Sequence, residues 1–323
     1  MSQAVSLRTK LLSMNAVENF EALMRRDDIV HDIAQEIIER HQLPEAPPKL
    51  FAEGTNIVFS HRDRSVIKIF PPFHSDQFKS ELLVLQYLQG KLSVKTPTVN
   101  FEGDIFGWPY IIMDQLDGTL LETLWNKLDD DNKVIIIREL GSLVREVHSL
   151  PTQGLEEIDC HWEQFIHKQI SGCVKHHQSM NLPSALLEQV PSYIDSTKDS
   201  LVKITKPVLL TGEYTPMNFL VKQVNGIWHI DGLIDFGDAM LGLSEYDLLG
   251  PGAFLIQGDK SLLREFLMAY GYTSYTMTPA LSHQLMALML LHKHSNLDIQ
   301  VRIKSWKSTA KNLKDLENLV WGF

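Results

Sequence analysis

Three oxygen-bearing side chains, Glu213, Asn218 and Asp235, stand in fixed order around a short strand–loop–hairpin pattern. Residues 208–210, 219–224 and 228–234 are β-branched and apolar runs, and Asn225-Gly226 supplies the tight turn between the last two. Glu213 and Asn218 therefore fall in the loop that enters the hairpin, and Asp235 falls at its exit. A carboxylate, an asparagine five positions later and an aspartate after the returning strand bring one proton acceptor and two oxygen ligands for a hard cation to one place. Phosphoryl transfer needs that inventory: a base or orienter for an acceptor hydroxyl, and oxygens for the Mg²⁺ that bridges nucleotide phosphates. Glu213 is the candidate catalytic residue, and Asn218 and Asp235 are the candidate metal ligands.

The periodicity on either side of this unit differs. Residues 4–41 read as helical, with Ile29, Ile33, Ile37 and Ile38 near 3.6 spacing, until Pro44, Pro47 and Pro48 interrupt. Residues 56–60 and 65–70 are strand-like and are separated by a polar turn; 76–89 is an amphipathic helix; 98–102 and 108–115 are again strand-like. From 119 onward helices dominate, at 129–148, 162–180 and 184–203 (with Pro191 as a break) and after Ile234 to the C-terminus. The sequence thus predicts an α+β chain in two lobes. A small, mostly antiparallel sheet occupies residues 1–115, together with the N-terminal helices, and a helix-rich lobe occupies 116–323.

Within the first lobe Lys68 lies mid-run among Val66, Ile67 and Ile69. A charge at such a position needs a partner, and Glu81, at the start of the amphipathic helix, is the candidate. An edge-strand lysine that guards against aggregation is the alternative.

These residues resemble the aminoglycoside phosphotransferase and choline-kinase-like family, which has a protein-kinase-like two-lobed fold. Leu210-Thr211-Gly212-Glu213 with Asn218, Ile234-Asp235-Phe236 and the segment 239–248 are similar to the family's catalytic and metal-binding segments. The resemblance makes Asp247 the carboxylate that braces the catalytic loop. It also implies a phosphate-facing turn at 53–56, with Gly54, Thr55 and Asn56 touching the nucleotide, a nucleotide lysine at Lys68 held by Glu81, and a hinge at Met113, Asp114 and Leu116 that receives the base. Val147-His148 resembles the family's leucine–histidine helix end. Within the family, the 53–56 turn, the strand through Lys68 and the closing Leu319–Gly322 look most like hygromycin B phosphotransferases. The implied cofactors are Mg²⁺ and ATP or GTP, and the implied partner is a small hydroxyl acceptor such as an amine-bearing sugar. Glu156, Glu157, Asp159, Glu163 and Asp238 are the carboxylates that could receive its amines or could equally be ordinary surface.

The sequence departs from the family pattern at three positions. Thr211 stands where the family has histidine, Glu213 where it has aspartate, and Leu243 where it has a second aspartate. Glutamate accepts a proton as well as aspartate but carries its carboxylate one methylene farther out, and a shift of about 1 Å can cost about a hundredfold in rate. A second reading therefore stays open, in which the chain is a kinase-like nucleotide-binding pseudoenzyme that serves a protein partner. A protein kinase is disfavoured, because the short span from Asp235 to Asp247 leaves no room for a long activation segment.

Composition narrows the surroundings. Lys and Arg number 30 against 40 Asp and Glu, a formal net charge of −10, which argues against a general nucleic-acid binder. Two cysteines and an N-terminus without an apolar signal core point to a cytoplasmic setting. No apolar run reaches the roughly 18 residues of a membrane span. The cluster Cys160, His161, His167, Cys173, His176 and His177 lacks metal-ligand spacing and reads as a helix that carries scattered polar residues.

Overall fold

The computed structural model describes residues 7, 9–11, 27–51, 54–62, 64–158 and 161–323. The chain divides into two compact units: Met1–Lys91, Lys95–Asp117 and Phe236–Asp238 form the first, and Leu92–Val94, Gly118–Asp235 and Ala239–Phe323 form the second.

In the first unit, helix α1 (Asp27–Arg40) precedes strands β1 (Lys49–Leu50), β2 (Ile57–His61) and β3 (Ser65–Ile69). Helix α2 (Ser75–Leu88) follows, then β4 (Val99–Ile105) and β5 (Trp108–Asp114). The strands make one antiparallel sheet in the order β1-β2-β3-β5-β4. Alternation assigns its two faces. Ile57, Phe59, Ile67, Ile69, Trp108, Tyr110 and Ile112 pack with Ile29, Ile33, Ile37 and Ile38 of α1 in one core. Lys68 points the other way, in register with Val58 on one side and Ile111 on the other. Because β3 is the middle strand of five, the edge-strand account of Lys68 is excluded. Of the predicted helix over 4–41, residues 27–40 are helical as an uninterrupted run; 12–26 lie outside the described residues.

The second unit opens with β6 (Thr119–Leu120) and helix α3 (Asp130–Ser149), whose N-cap Asp129 accepts the Asn132 N–H at 2.8 Å. Helix α4 (Trp162–Ser179) follows. The predicted helix over 184–203 is three short pieces, Ser184–Leu187, Val190–Asp195 and Lys198–Val202, with Pro191 in the first turn of the second. Strands β7 (Val208–Leu210), β8 (Phe219–Val224), β9 (Ile227–Leu233) and β10 (Met240–Gly242) come next. β8 and β9 form the expected hairpin, with Asn225 and Gly226 both at positive φ, and β6 pairs with β8.

β10 corrects the expectation of helix throughout the chain after Ile234, for it pairs antiparallel with β7, Met240 opposite Leu210. Three buried apolar residues carry no readable period, so only the partner strand reveals them. Helices α5 (Lys260–Tyr270), α6 (Pro279–Leu291) and α7 (Leu313–Trp321) complete the unit. A π-helical turn at Gly252–Ile256 precedes α5. No helix of the described residues is long and apolar enough to cross a membrane.

Candidate functional site

Lys68 Nζ lies 2.5 Å from Glu81 Oε2, and the two side chains are only 6% and 2% exposed. Strand alternation turns Lys68 away from the α1 core, and Glu81 is one of the buried residues of α2. The ammonium also sits 5.4 Å from the centre of the Phe70 ring, which adds a cation–π contact. Removing either charge would strand the other in a poorly hydrated place.

The turn between β1 and β2 places Gly54 at φ +131, a conformation that favours glycine, with Thr55 exposed beside it; Ala52 and Glu53 lie outside the described residues. Asn56 is buried, and its amide is engaged within the unit. It donates to Gln77 Oε1 at 3.2 Å and its oxygen lies 3.1 Å from His74 Nδ1, while Gln77 in turn donates to Asp238 Oδ1 at 3.1 Å. Sequence reasoning missed this chain, because residues 56, 74, 77 and 238 share no local pattern. Burial lowers the His74 pKa and the nearby Asp238 carboxylate opposes that shift.

At the end of β5, Met113 is buried in register with Val66. The Asp114 N–H donates to Thr98 O and the Gln115 N–H to Arg64 O, both within 2.9 Å. The Asp114 side chain accepts from Asn100 Nδ2 at 2.8 Å. Leu116 follows, half-buried.

The second unit brings Glu213, Asn218 and Asp235 together. Gly212 takes φ +82, which turns the chain out of β7. The Glu213 carbonyl accepts the Thr215 N–H at 2.8 Å and Asn218 Nδ2 at 2.9 Å, and the Asn218 carbonyl accepts the Ile234 N–H at 3.0 Å. The Asn218 amide thus spends its nitrogen on the loop, and its Oδ1 could serve a cation as an oxygen ligand. Asp235, exposed at the exit of β9, adopts φ +67. That left-handed conformation costs on the order of 1 kcal/mol in a residue other than glycine, and Asp is among the few that tolerate it. One neutral oxygen and one carboxylate at the same hairpin end suit a hard divalent cation.

The loop is held from below by Asp247, which is 3% exposed. Its carboxylate accepts the backbone N–H of Thr211 at 2.9 Å and of Gly212 at 3.1 Å. His148 Nε2 lies 3.2 Å from the same group, and His148 Nδ1 lies 3.0 Å from the Tyr270 hydroxyl. An imidazole protonated at Nε2 donates to Asp247 and accepts from Tyr270, so both nitrogens are satisfied. Gly250 closes the support: a Cβ there would come 2.6 Å from the Tyr214 carbonyl, which a side chain would displace.

Beside Glu213 opens a cavity of about 170 Å³, with Tyr246, Phe254, Met289, His292 and Ile299 in its wall. The π-helical turn supplies Phe254, and irregular helical turns of this type are frequent at functional sites. None of these residues was singled out by sequence reasoning. Of the carboxylates that were, Glu156, Glu157 and Glu163 are exposed, Asp159 lies outside the described residues, and Asp238 is half-buried and accepts from Gln77. Of the cysteine and histidine cluster, Cys173 and His177 both contact the Leu290 carbonyl and His176 that of Ser295. Burial pushes the Cys173 thiol up to about 12, as befits core.

This arrangement defines a kinase-like phosphotransferase fold. Residues 50–281 match the model of the phosphotransferase enzyme family known as APH, and the chain belongs to that family. Among solved structures, it superposes on the GDP and kanamycin complex of APH(2″)-IIIa with a TM-score of 0.67 at 20% identity, over 80% of this chain and 89% of that one. It superposes on the macrolide 2′-phosphotransferase of Brachybacterium faecium with a TM-score of 0.57 at 18% identity, over 80% and 90% of the two chains. At these identities the likeness is one of fold.

Proposed function

We propose that the protein transfers the terminal phosphoryl group of Mg²⁺-bound ATP or GTP to a hydroxyl of a small molecule, with Glu213 as base. The supporting observation is the tie that joins Glu213, Asn218 and the strand leading to Asp235 through the Asn218 amide and carbonyl. Asn218 Oδ1 and the Asp235 carboxylate would hold Mg²⁺, which when bound neutralises charge on the phosphate oxygens. Glu213 would orient the acceptor hydroxyl and take its proton as the oxygen attacks phosphorus. In the first unit Lys68, held by Glu81, would engage nucleotide phosphates. The Gly54–Thr55 turn would offer backbone N–H groups to them, and Asn56, committed to Gln77 and His74, would hold the turn's shape. With the Asp114 and Gln115 amides already spent, the Asp114 carbonyl and the Leu116 N–H would meet the purine edge, beside Met113.

Complexes of family relatives with GDP and kanamycin, and with streptomycin and ATP, support a nucleotide and a small hydroxylated ligand as the two substrates. A pure binding module has no physical need for Asn218 and Asp235 in this relation. Transfer of labelled phosphate from ATP or GTP to a panel of hydroxyl acceptors tests the reading. Tight Mg²⁺-nucleotide binding with no transfer to any acceptor, and no nucleotide hydrolysis, would favour the pseudoenzyme instead.

A further inference from the structure

Four side chains of the first unit form one directed run of hydrogen bonds. Gln77 Nε2 donates to Asp238 Oδ1 at 3.1 Å, Asn56 Nδ2 donates to Gln77 Oε1 at 3.2 Å, and Asn56 Oδ1 lies 3.1 Å from His74 Nδ1. An ionised carboxylate can only accept, so Asp238 sets the direction of every link. Gln77 presents its nitrogen to Asp238 and its oxygen to Asn56. Asn56 then faces His74 with its oxygen, which accepts from Nδ1–H. Because Asn56 is only 6% exposed, its amide has little water to turn to if Gln77 withdraws.

The run joins two segments that matter for a nucleotide. Asn56 ends the turn that holds Gly54 at φ +131 with Thr55 exposed beside it. Asp238 closes the segment Phe236–Asp238, which follows Asp235 directly in the chain and belongs to the first unit, with Phe236 fully buried. Gln77 stands in the first turn of α2, four positions before Glu81, so one face of that helix carries both the tie to Lys68 and the tie to Asp238. A displacement of either segment strains a bond to the same Gln77 amide.

We infer that Gln77 is a positioning residue that couples the phosphate-facing turn to the segment after Asp235, so that metal and nucleotide tighten each other's binding through it. The inference rests on the proposed function in taking Gly54–Thr55 as the phosphate turn and Asp235 as a metal ligand. It adds that the direction of the amide at position 77 carries the coupling. Coupling between two sites is reciprocal, so either ligand reads it.

The readout is the factor by which Mg²⁺ tightens binding of the β,γ-imido analogue of ATP or GTP to the whole protein, from calorimetric titrations with and without the metal. Gln77→Glu sets a carboxylate against Asp238, while the first turn of a helix favours the added negative charge, so the fold is kept. The factor should fall at least about fivefold, the lower end of the range for coupled sites. Gln77→Leu removes both links without adding charge and should show the same fall. The double variant Gln77→Glu/Asp238→Asn exchanges carboxylate and amide between the two positions. The amide nitrogen at 238 then donates to the carboxylate at 77, which still accepts Asn56 Nδ2, and the factor should return to within about twofold of the wild type. A role in packing alone predicts no such recovery. An unchanged factor in either single variant, or a double variant no better than Gln77→Glu, would overturn the inference alone. A wild type whose nucleotide affinity ignores Mg²⁺ would overturn the proposed function and this inference with it.

Discussion

The Asp247 carboxylate accepts the backbone N–H of Thr211 at 2.9 Å and of Gly212 at 3.1 Å, so it holds the loop that leads to Glu213 by its main chain. The brace runs on through His148 to Tyr270. Asp247→Asn would set an amide against N–H donors and remove the charge that gathers them. A loss of about 1–3 kcal/mol is expected in urea unfolding, from buried donors left without a good acceptor. The double variant with His148→Gln should cost less than the sum of the two single changes. Strict additivity would show that the two side chains do not act as one support.

Lys68 and Glu81 make the second strong coupling. Lys68→Met leaves a buried carboxylate without its charge partner and should destabilise the protein by about 3–5 kcal/mol. Adding Glu81→Gln should restore much of that stability. Nucleotide affinity, in contrast, should stay low in both variants. Recovery of affinity in the double variant would mean that Lys68 serves packing alone.

The hairpin and this ion pair were legible for physical reasons. Asn225-Gly226 fixes a turn locally, and a lysine inside an apolar run demands a partner wherever the chain provides one. The three-residue strand at Met240–Gly242 was not legible, since its pairing with Val208–Leu210 depends on a partner distant in sequence. The same holds for the cavity wall, where Tyr246, Phe254 and the end of α6 that carries Met289 and His292 come from three separate segments and read individually as core. The Asn56–Gln77–Asp238 chain escaped notice likewise, because hydrogen bonds across 21 and 161 positions leave no periodic trace.

Alkaline pH should weaken the fold through its buried phenols. Burial, together with the Glu245 and Asp247 carboxylates and against a hydrogen bond from Ser244, pushes Tyr270 up to about 12. Burial and the Glu245 carboxylate, which accepts its hydroxyl at 2.9 Å, raise Tyr272 as well. The folded state therefore keeps these protons while the unfolded chain releases its own near the ordinary tyrosine value of about 10. Stability is fully present below that value and falls as pH rises toward 12, by at most about 1.4 kcal/mol per pH unit for each such tyrosine. Urea midpoints at pH 9, 10 and 11 should fall in order, and Tyr272→Phe should flatten the decline. An unchanged slope in that variant would assign the effect to other groups.

With Glu213 as the proposed base, chemistry and binding should separate. Glu213→Gln should abolish phosphoryl transfer while leaving Mg²⁺-nucleotide affinity nearly unchanged, because a base acts on the acceptor proton. Glu213→Asp should also lose about a hundredfold in rate, since the shorter side chain withdraws the carboxylate by about 1 Å. Full activity in Glu213→Gln would remove the residue from the mechanism.

The central assignment, a metal-dependent nucleotide site built on Asn218 and Asp235, is tested most directly by the Mg²⁺-dependent rise in melting temperature with ATP or GTP. A ligand at 100 times its Kd stabilises a fold by about 2.7 kcal/mol, which a thermal scan resolves. The wild type should gain this stabilisation only when Mg²⁺ is present. Asp235→Asn, which removes a charge without changing shape at an exposed position, should keep the apo melting temperature and lose most of the gain. An equal, Mg²⁺-dependent gain in Asp235→Asn would contradict the assignment.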